Sequence, residues 1–176
     1  MKKIEIEELI INPFTKIGSE WMLITAGNKE RGFNTMTASW GHLGDIWGSK
    51  TGKPSAIIYI RPQRFTKEFV DEEEYFTLSF FPSKYKKALS YLGAHSGRDE
   101  NKIQNSGLNI LFEDDYCYFK ESKLVLVCRK LYHSSIVEDG FVDKSIIDKN
   151  YPKKDFHEMY IGEIMEIYTN DSDESL

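Results

Sequence analysis

Apolar residues in this chain fall in short runs punctuated by Gly, Pro and Asn rather than in long stripes of helical period. Six of these runs are rich in β-branched and aromatic side chains, the residues that fit a pleated, half-buried surface. They predict strands over Trp21–Ala26, Phe33–Ser39, Ala56–Ile60, Tyr75–Phe81, Leu124–Val137 and Met159–Tyr168. Tyr75–Phe81 is mostly apolar on both faces and Lys123–Leu131 partly alternates, as strands curling round a closed core would. Three helices are expected between them. The first starts with Thr66 as N-cap, and its acidic run Asp71–Glu74 reads as a solvated face. The second spans about Ser83–Leu92, where Tyr85, Ala88, Leu89 and Leu92 recur at i, i+3, i+4 and i+7. The third is short, about Asp99–Asn105, and ends at Gly107. Many strands, few helices and no βαβ alternation give a mainly β fold, an antiparallel barrel with helices packed on its rim.

A length of 176 residues suits one domain. No linker or repeat interrupts it, so residues 1–168 read as one unit and residues 169–176, TNDSDESL, as a flexible acidic tail. No apolar stretch is long enough for a membrane helix, and the start MKKIEIEEL lacks the apolar core of a signal peptide, so a cytoplasmic location is expected. The net charge is −5 with Lys and Arg scattered rather than striped, which argues against nucleic acid as a partner. Cys117 and Cys128 have neither CxxC spacing nor a nearby histidine cluster, so no metal site is expected and both read as buried free thiols on strands.

Four segments carry candidate chemistry, and one imitates it. Gly48–Pro54 resembles a nucleotide P-loop but is one residue short between its glycines and has Pro where the metal-binding hydroxyl belongs. A turn before the next strand explains it better. Asn34-Thr35-Met36-Thr37-Ala38-Ser39-Trp40 sets small polar residues where a structural strand would favour Val or Ile. Small side chains let a flat heterocycle approach the backbone and bond to it. In Arg61-Pro62-Gln63-Arg64-Phe65-Thr66, two arginines stand beside a helix N-terminus, a suitable pairing for a phosphate. Ser96-Gly97-Arg98 is a second glycine loop with an arginine before a helix, able to cradle an anion or simply to cap the helix. His157 precedes the last strand, a structural or a catalytic position. No triad or paired-carboxylate pattern supports hydrolysis.

Taken in order, NTMTASWG at 34–41, YIRPQRFT at 59–66, YFTLSFF at 75–81, SGRD at 96–99 followed by Lys102, LVLVCRKLY at 124–132 and HEMYIGEI at 157–164 resemble the flavin reductase family of FMN-binding split-barrel proteins, particularly its flavoredoxin-like branch. The resemblance spans nearly the whole chain. It implies a six-stranded antiparallel Greek-key split β-barrel and a homodimer with FMN near the subunit interface. By the same resemblance, Asn34 to Trp40 would meet the isoalloxazine and ribityl chain. Arg61, Gln63, Arg64 and Thr66 would contact flavin and phosphate, and Ser96, Gly97 and Arg98 would form a second phosphate-side loop. Lysine is common in this branch at the position of Arg98. His157 is similar in position to a histidine near the nicotinamide, and its spacing to Gly162 fits a His-x4-Gly pattern. Phe156 stands between it and Asp155, where some relatives have Asp directly before His.

The implied activity is an FMN-dependent oxidoreductase carrying electrons from NADH or NADPH to a second acceptor, with the cofactor supplying the redox chemistry. An electron carrier reduced by a protein partner is the alternative, since no Rossmann GxGxxG marks a nicotinamide site. A barrel that has lost its flavin is a third.

Overall fold

Strand β10 (Glu158–Thr169) organises the architecture, because its length lets it pair along both edges. β9 (Leu124–Ser135) runs antiparallel to it along one edge; β5 (Lys53–Ile60) and then β1 (Lys2–Ile4) divide the other. The computed structural model describes residues 1–170. With β2 (Met22–Asn28), β3 (Gly32–Ala38), β4 (Gly41–Ile46) and β6 (Tyr75–Phe80), the strand order is β3-β2-β6-β9-β10-β5-β4, with β1 joined to β10. Every pairing is antiparallel. Register shifts at Ile161/Gly162 and Ile164/Glu166 bend β10 against β9, the means by which a long strand curls round a barrel. β3 and β4 follow one another in sequence, joined through Ser39 and Trp40, yet stand at opposite ends of the strand order. The barrel is split there.

The interior is filled from alternate positions: Met22, Ile24 and Ala26 of β2 meet Phe76, Leu78 and Phe80 of β6 and Leu124, Leu126 and Cys128 of β9. The opposite face of β2 and β6 is also covered. Leu23 packs with Phe81, Leu89, Leu92 and Phe119 beneath α3 (Lys86–Ala94), and on β6 the residues away from the barrel core, Thr77 and Ser79, are buried as well. α2 (Phe65–Glu72) lays Val70 and Phe69 on the barrel core. Three short helices, α1 (Pro13–Thr15), α4 (Lys102–Ser106) and α5 (Ser145–Asn150), a hairpin of β7 (Ile110–Phe112) and β8 (Cys117–Phe119), a π-helical turn at Lys16–Glu20 and short 3-10 turns surround the sheet. None of the described helices is long and apolar enough to cross a membrane.

All six strands read from the sequence are present in the one large sheet, which β1 and β4 extend to eight. Gly48–Pro54 lies in the β4–β5 connection, although β5 begins at Lys53 rather than Ala56. Cys117 and Cys128 are free and buried, and burial pushes the Cys117 thiol up to about 12. Four details differ. Arg64, in extended conformation, is the N-cap of α2, so Thr66 lies inside the helix. The third helix begins at Lys102, where the Asn101 side chain accepts from the Gln104 N–H; Gly107 closes it at φ +73°. Asp71–Glu74 is not simply a solvated face: Glu73 is buried against Arg31, whose Nε donates at 2.9 Å, and Asp71 accepts from the Tyr160 hydroxyl at 2.6 Å. Thr169 and Asn170, assigned to the tail, belong to the fold. Thr169 ends β10 and the Asn170 N–H donates to Lys123 O at 3.0 Å; residues 171–176 lie outside the described residues.

Candidate functional site

β3 and the loop after it form one wall of a cleft beside the split. Asn34 and Met36 line a space of about 650 Å³, and Met36, Thr37, Ala38, Ser39 and Trp40 line a smaller one of about 170 Å³ that continues it; Arg61 and Arg64 border both. The small side chains leave backbone accessible at one edge, and Trp40 supplies an aromatic surface beside it. Thr35 does not take part. It faces the opposite side of the sheet, fully buried, donating to Ile24 O at 3.1 Å and lying 2.8 Å from the Thr25 hydroxyl. Thr37 shares that face, its hydroxyl donating to Leu89 O at 2.5 Å, and borders the cleft only near the end of β3.

The larger space is strongly cationic. Arg61, Arg64, Lys102, Lys149 and Lys153 line it against a single carboxylate, Asp155. Arg61 is fixed by Asp155 at 2.5 Å and by the Asn150 carbonyl at 2.8 Å, with its guanidinium 5.1 Å from the centre of the Tyr151 ring. Gln63 donates to the same Asp155 oxygen at 2.9 Å, so Gln63 and Arg61 together hold that carboxyl below its ordinary value. Arg64 donates to Gly93 O at 2.9 Å, while the Lys102 ammonium donates to Leu92 O and His95 O, both at 3.0 Å. These carbonyls end α3, where the helix dipole favours cations. The two cations still crowd each other: burial first, and then the charge of Arg64, bring Lys102 down to about 8. An anion between them would offset their mutual repulsion. The N-terminus of α2 opens on the same space at Arg64, Phe65 and Thr66, adding a partial positive charge. Asn34 holds that end of α2 to the strand, its Nδ2 donating to the Thr66 hydroxyl at 2.9 Å.

The second loop splits its roles. Ser96 lines the cleft, and its hydroxyl accepts from the Arg98 N–H at 3.2 Å. Gly97 is a packing position: a Cβ there would come within 2.5 Å of Asn34 Oδ1. Arg98 turns away. Its guanidinium lies 4.7 Å from the centre of the Phe65 ring, pairs with Glu68, and donates to Gln63 O at 3.1 Å.

His157 stands at the junction beyond the cations, buried beside Trp40 with ring centres 5.0 Å apart. Its Nδ1 is 2.8 Å from the Tyr151 hydroxyl. Burial, and then the nearby charge of Arg61, lower it to about 4, so the ring is neutral near pH 7. Past Ser39, Trp40 and Tyr59 the junction continues into a groove of about 540 Å³.

Sequence patterns missed several of these residues. Lys149 and Lys153 belong to the run Lys149–Lys154, whose lysine density was the available signal; Tyr151, in the same run, offered none. Lys102 stood in a recognised motif without a role. The assembled cleft suits a long planar molecule with a dianion at one end: cations and a helix terminus gather at the α2 side, small residues and neutral aromatics at the other.

The family model described as "Flavin reductase like domain" matches residues 14–176. The chain belongs to that family. Among solved structures, this flavin reductase-like chain is similar to an FMN-binding domain of a flavin reductases-like enzyme from Shewanella baltica, with a TM-score of 0.66 and 14% identity over 96% of this chain and 76% of that one. Flavoredoxin of Desulfovibrio vulgaris gives 0.63 and 21% over 86% and 70%. An NADH:FAD oxidoreductase of Streptomyces globisporus gives 0.62 and 12% over 87% and 76%. At these identities the likeness is one of fold. No curated protein matches the sequence.

Proposed function

We propose that this flavin reductase-like chain binds FMN in the cationic cleft and works as an FMN-dependent oxidoreductase, passing electrons from NADH or NADPH to a second acceptor. The observation that carries the reading is the gathering of Arg61, Arg64 and Lys102 at the N-terminus of α2, opposite the small-residue wall Thr37–Ser39. Arg64, Lys102, Thr66 and Ser96 would hold the phosphate. Asn34 acts through Thr66, and Asp155 orients Arg61 and Gln63. Met36–Trp40 would lie along the ring system, and Arg61 would favour negative charge at its edge by preorganised electrostatics. Bound FMN supplies the electron-transfer chemistry. His157, neutral and packed on Trp40, can accept or donate a hydrogen bond there without adding charge.

Residues 1–170 are read as one cytoplasmic domain that pairs with a second copy, FMN lying near the interface. Exposed Trp47 and Tyr132, edge to face with ring centres 6.1 Å apart, support an apolar contact surface. The second reading is an FMN carrier reduced by a protein partner. It is favoured by the groove beyond Trp40, which has no Lys or Arg among its lining residues to receive a nicotinamide's diphosphate.

The visible spectrum of the purified protein, recorded after adding FMN and then NADH or NADPH without oxygen, tests both readings. A protein-bound flavin band that bleaches supports the reductase. A bound band that persists with both nucleotides favours the carrier, and absence of bound flavin removes both readings.

A further inference from the structure

The cationic cleft meets the C-terminal end of α3, and the other end of that helix borders a separate cavity of about 430 Å³ that shares no lining residue with the cleft. Glu20, the last residue of the π-helical turn, stands on one side of it; Lys86 of α3 and Lys123, just before β9, stand on the others. Charge is not balanced there. Lys16, only 2% exposed, and Lys123 both bond the Glu20 carboxylate, at 3.0 and 3.1 Å. Among the described residues Lys86 has no carboxylate partner. Its ammonium donates to the carbonyls of Ser19 and Glu20 and stands 3.3 Å from the centre of the Trp21 ring. Three ammonium groups thus gather round one carboxylate. Each carries three N–H donors, so Lys86 and Lys123 keep donors to spare. Burial lowers both Lys16 and Lys86, a cost that a further anion would offset.

The backbone beside the cavity is strained. The π-helical turn is a rare form, and Trp21, which follows it, has φ +70° and ψ 166°, a conformation suited to glycine. Lys86 holds this segment by bonding the two carbonyls ahead of Trp21 and covering its ring. Strain fixed in this way gathers at ligand clamps. The remaining walls suit a ligand with an apolar part: Phe81 and Leu89 line the cavity, and the exposed Ser19 and Ser83 add hydroxyls.

We propose that this cavity is a binding site for a small carboxylate with a short apolar body. The carboxylate takes the spare donors of Lys86 and Lys123 and supplies the missing negative charge, while the apolar body lies against Phe81 and Leu89. A neutral molecule of the same shape leaves the cations as they were. The site is independent of the flavin reading, since the cleft contributes nothing to it. An occupant also fastens the turn that carries Ile17 into the barrel core, so binding stabilises the fold.

The test uses 3-phenylpropanoate and 3-phenylpropanamide, alike in shape and different in charge. Each is titrated calorimetrically into the full chain with and without FMN, in wild type, Ser83→Asp, Lys86→Met and Arg64→Ala. Ser83 is exposed and opens a 3-10 turn, a position that tolerates an acidic residue, so Ser83→Asp keeps the test decisive even where Lys86→Met fails to fold. The expected result is one carboxylate per chain, bound at least tenfold tighter than the amide and equally well with FMN present. Ser83→Asp and Lys86→Met should each weaken it tenfold or more, and Arg64→Ala should leave it within twofold. Absence of binding, equal binding of the amide, or indifference to Ser83→Asp would overturn the proposal. Displacement by FMN, or loss of binding in Arg64→Ala, would place the anion in the cationic cleft and overturn it equally.

Discussion

The Tyr151 hydroxyl lies 2.8 Å from His157 Nδ1, and this bond joins the segment between β9 and β10 to the junction of cleft and groove. The imidazole it holds is neutral, lowered to about 4 by burial and then by Arg61. The unfolded chain takes up that proton near 6.5, so between about pH 6.5 and 4 the unfolded state binds more protons and this group's contribution makes stability fall as pH falls. The His157 ring resonances are expected not to titrate above pH 5 in NMR. A midpoint near 6.5 would show an open, protonatable ring.

Lys102 links cofactor affinity to pH. Its ammonium, brought down to about 8 in the cleft by burial and then by Arg64, is raised when an anion binds beside it. Binding then takes up a proton. FMN affinity is expected to fall as pH rises through 8 to 10, and calorimetry in buffers of different ionisation enthalpy should detect the uptake. In Lys102→Met both effects should vanish and affinity at pH 7 should drop about 10–100-fold, the loss of one charge-assisted hydrogen bond of roughly 1.5–3 kcal/mol.

Arg64 and Arg98 are expected to separate. Arg64 lines the cleft, whereas Arg98 pairs with Glu68 and stacks on Phe65. Arg64→Ala should weaken FMN about 10–100-fold, again one charged hydrogen bond. Arg98→Ala should stay within about twofold, because an exposed ion pair contributes roughly 0–1 kcal/mol to stability and this one makes no contact across the cleft. Fluorescence titration of FMN with both variants decides it.

These assignments show where sequence patterns stop being informative. Six strands were legible because their runs are rich in β-branched and aromatic residues and bounded by Gly, Pro or Asn. β4 was not, since Gly41, Gly44 and Asp45 are residues that strands avoid, and here they pair with β5. β1, β7 and β8 have three residues each, too few to show a period. In the site, the local motifs around Asn34, Arg61 and Ser96 were visible, but the orientation within each was not. Thr35 is held by Thr25 and Ile24 of β2 and Arg98 by Glu68, which lies thirty positions away. Glu73 was indistinguishable from its acidic neighbours because Arg31, which draws it inward, is forty-two positions distant.

The glycine of the His-x4-Gly pattern has a packing role. A Cβ on Gly162 would stand 2.7 Å from Phe76 Cζ and 2.9 Å from Cys128 Cβ, at the register shift that bends β10. Gly162→Ala is therefore expected to destabilise the fold by about 1–3 kcal/mol through overpacking. Urea denaturation measures this directly; an unchanged midpoint would mean that Phe76 yields freely.

The measurement that bears most directly on the central claim is the ratio of dissociation constants for riboflavin and FMN, which differ by the phosphate alone. With Arg64, Lys102 and the α2 terminus receiving that group, FMN should bind at least about a hundredfold tighter, roughly 3 kcal/mol. Equal affinity for the two would mean that the cationic cleft does not hold the phosphate, and the assignment of the site would fall.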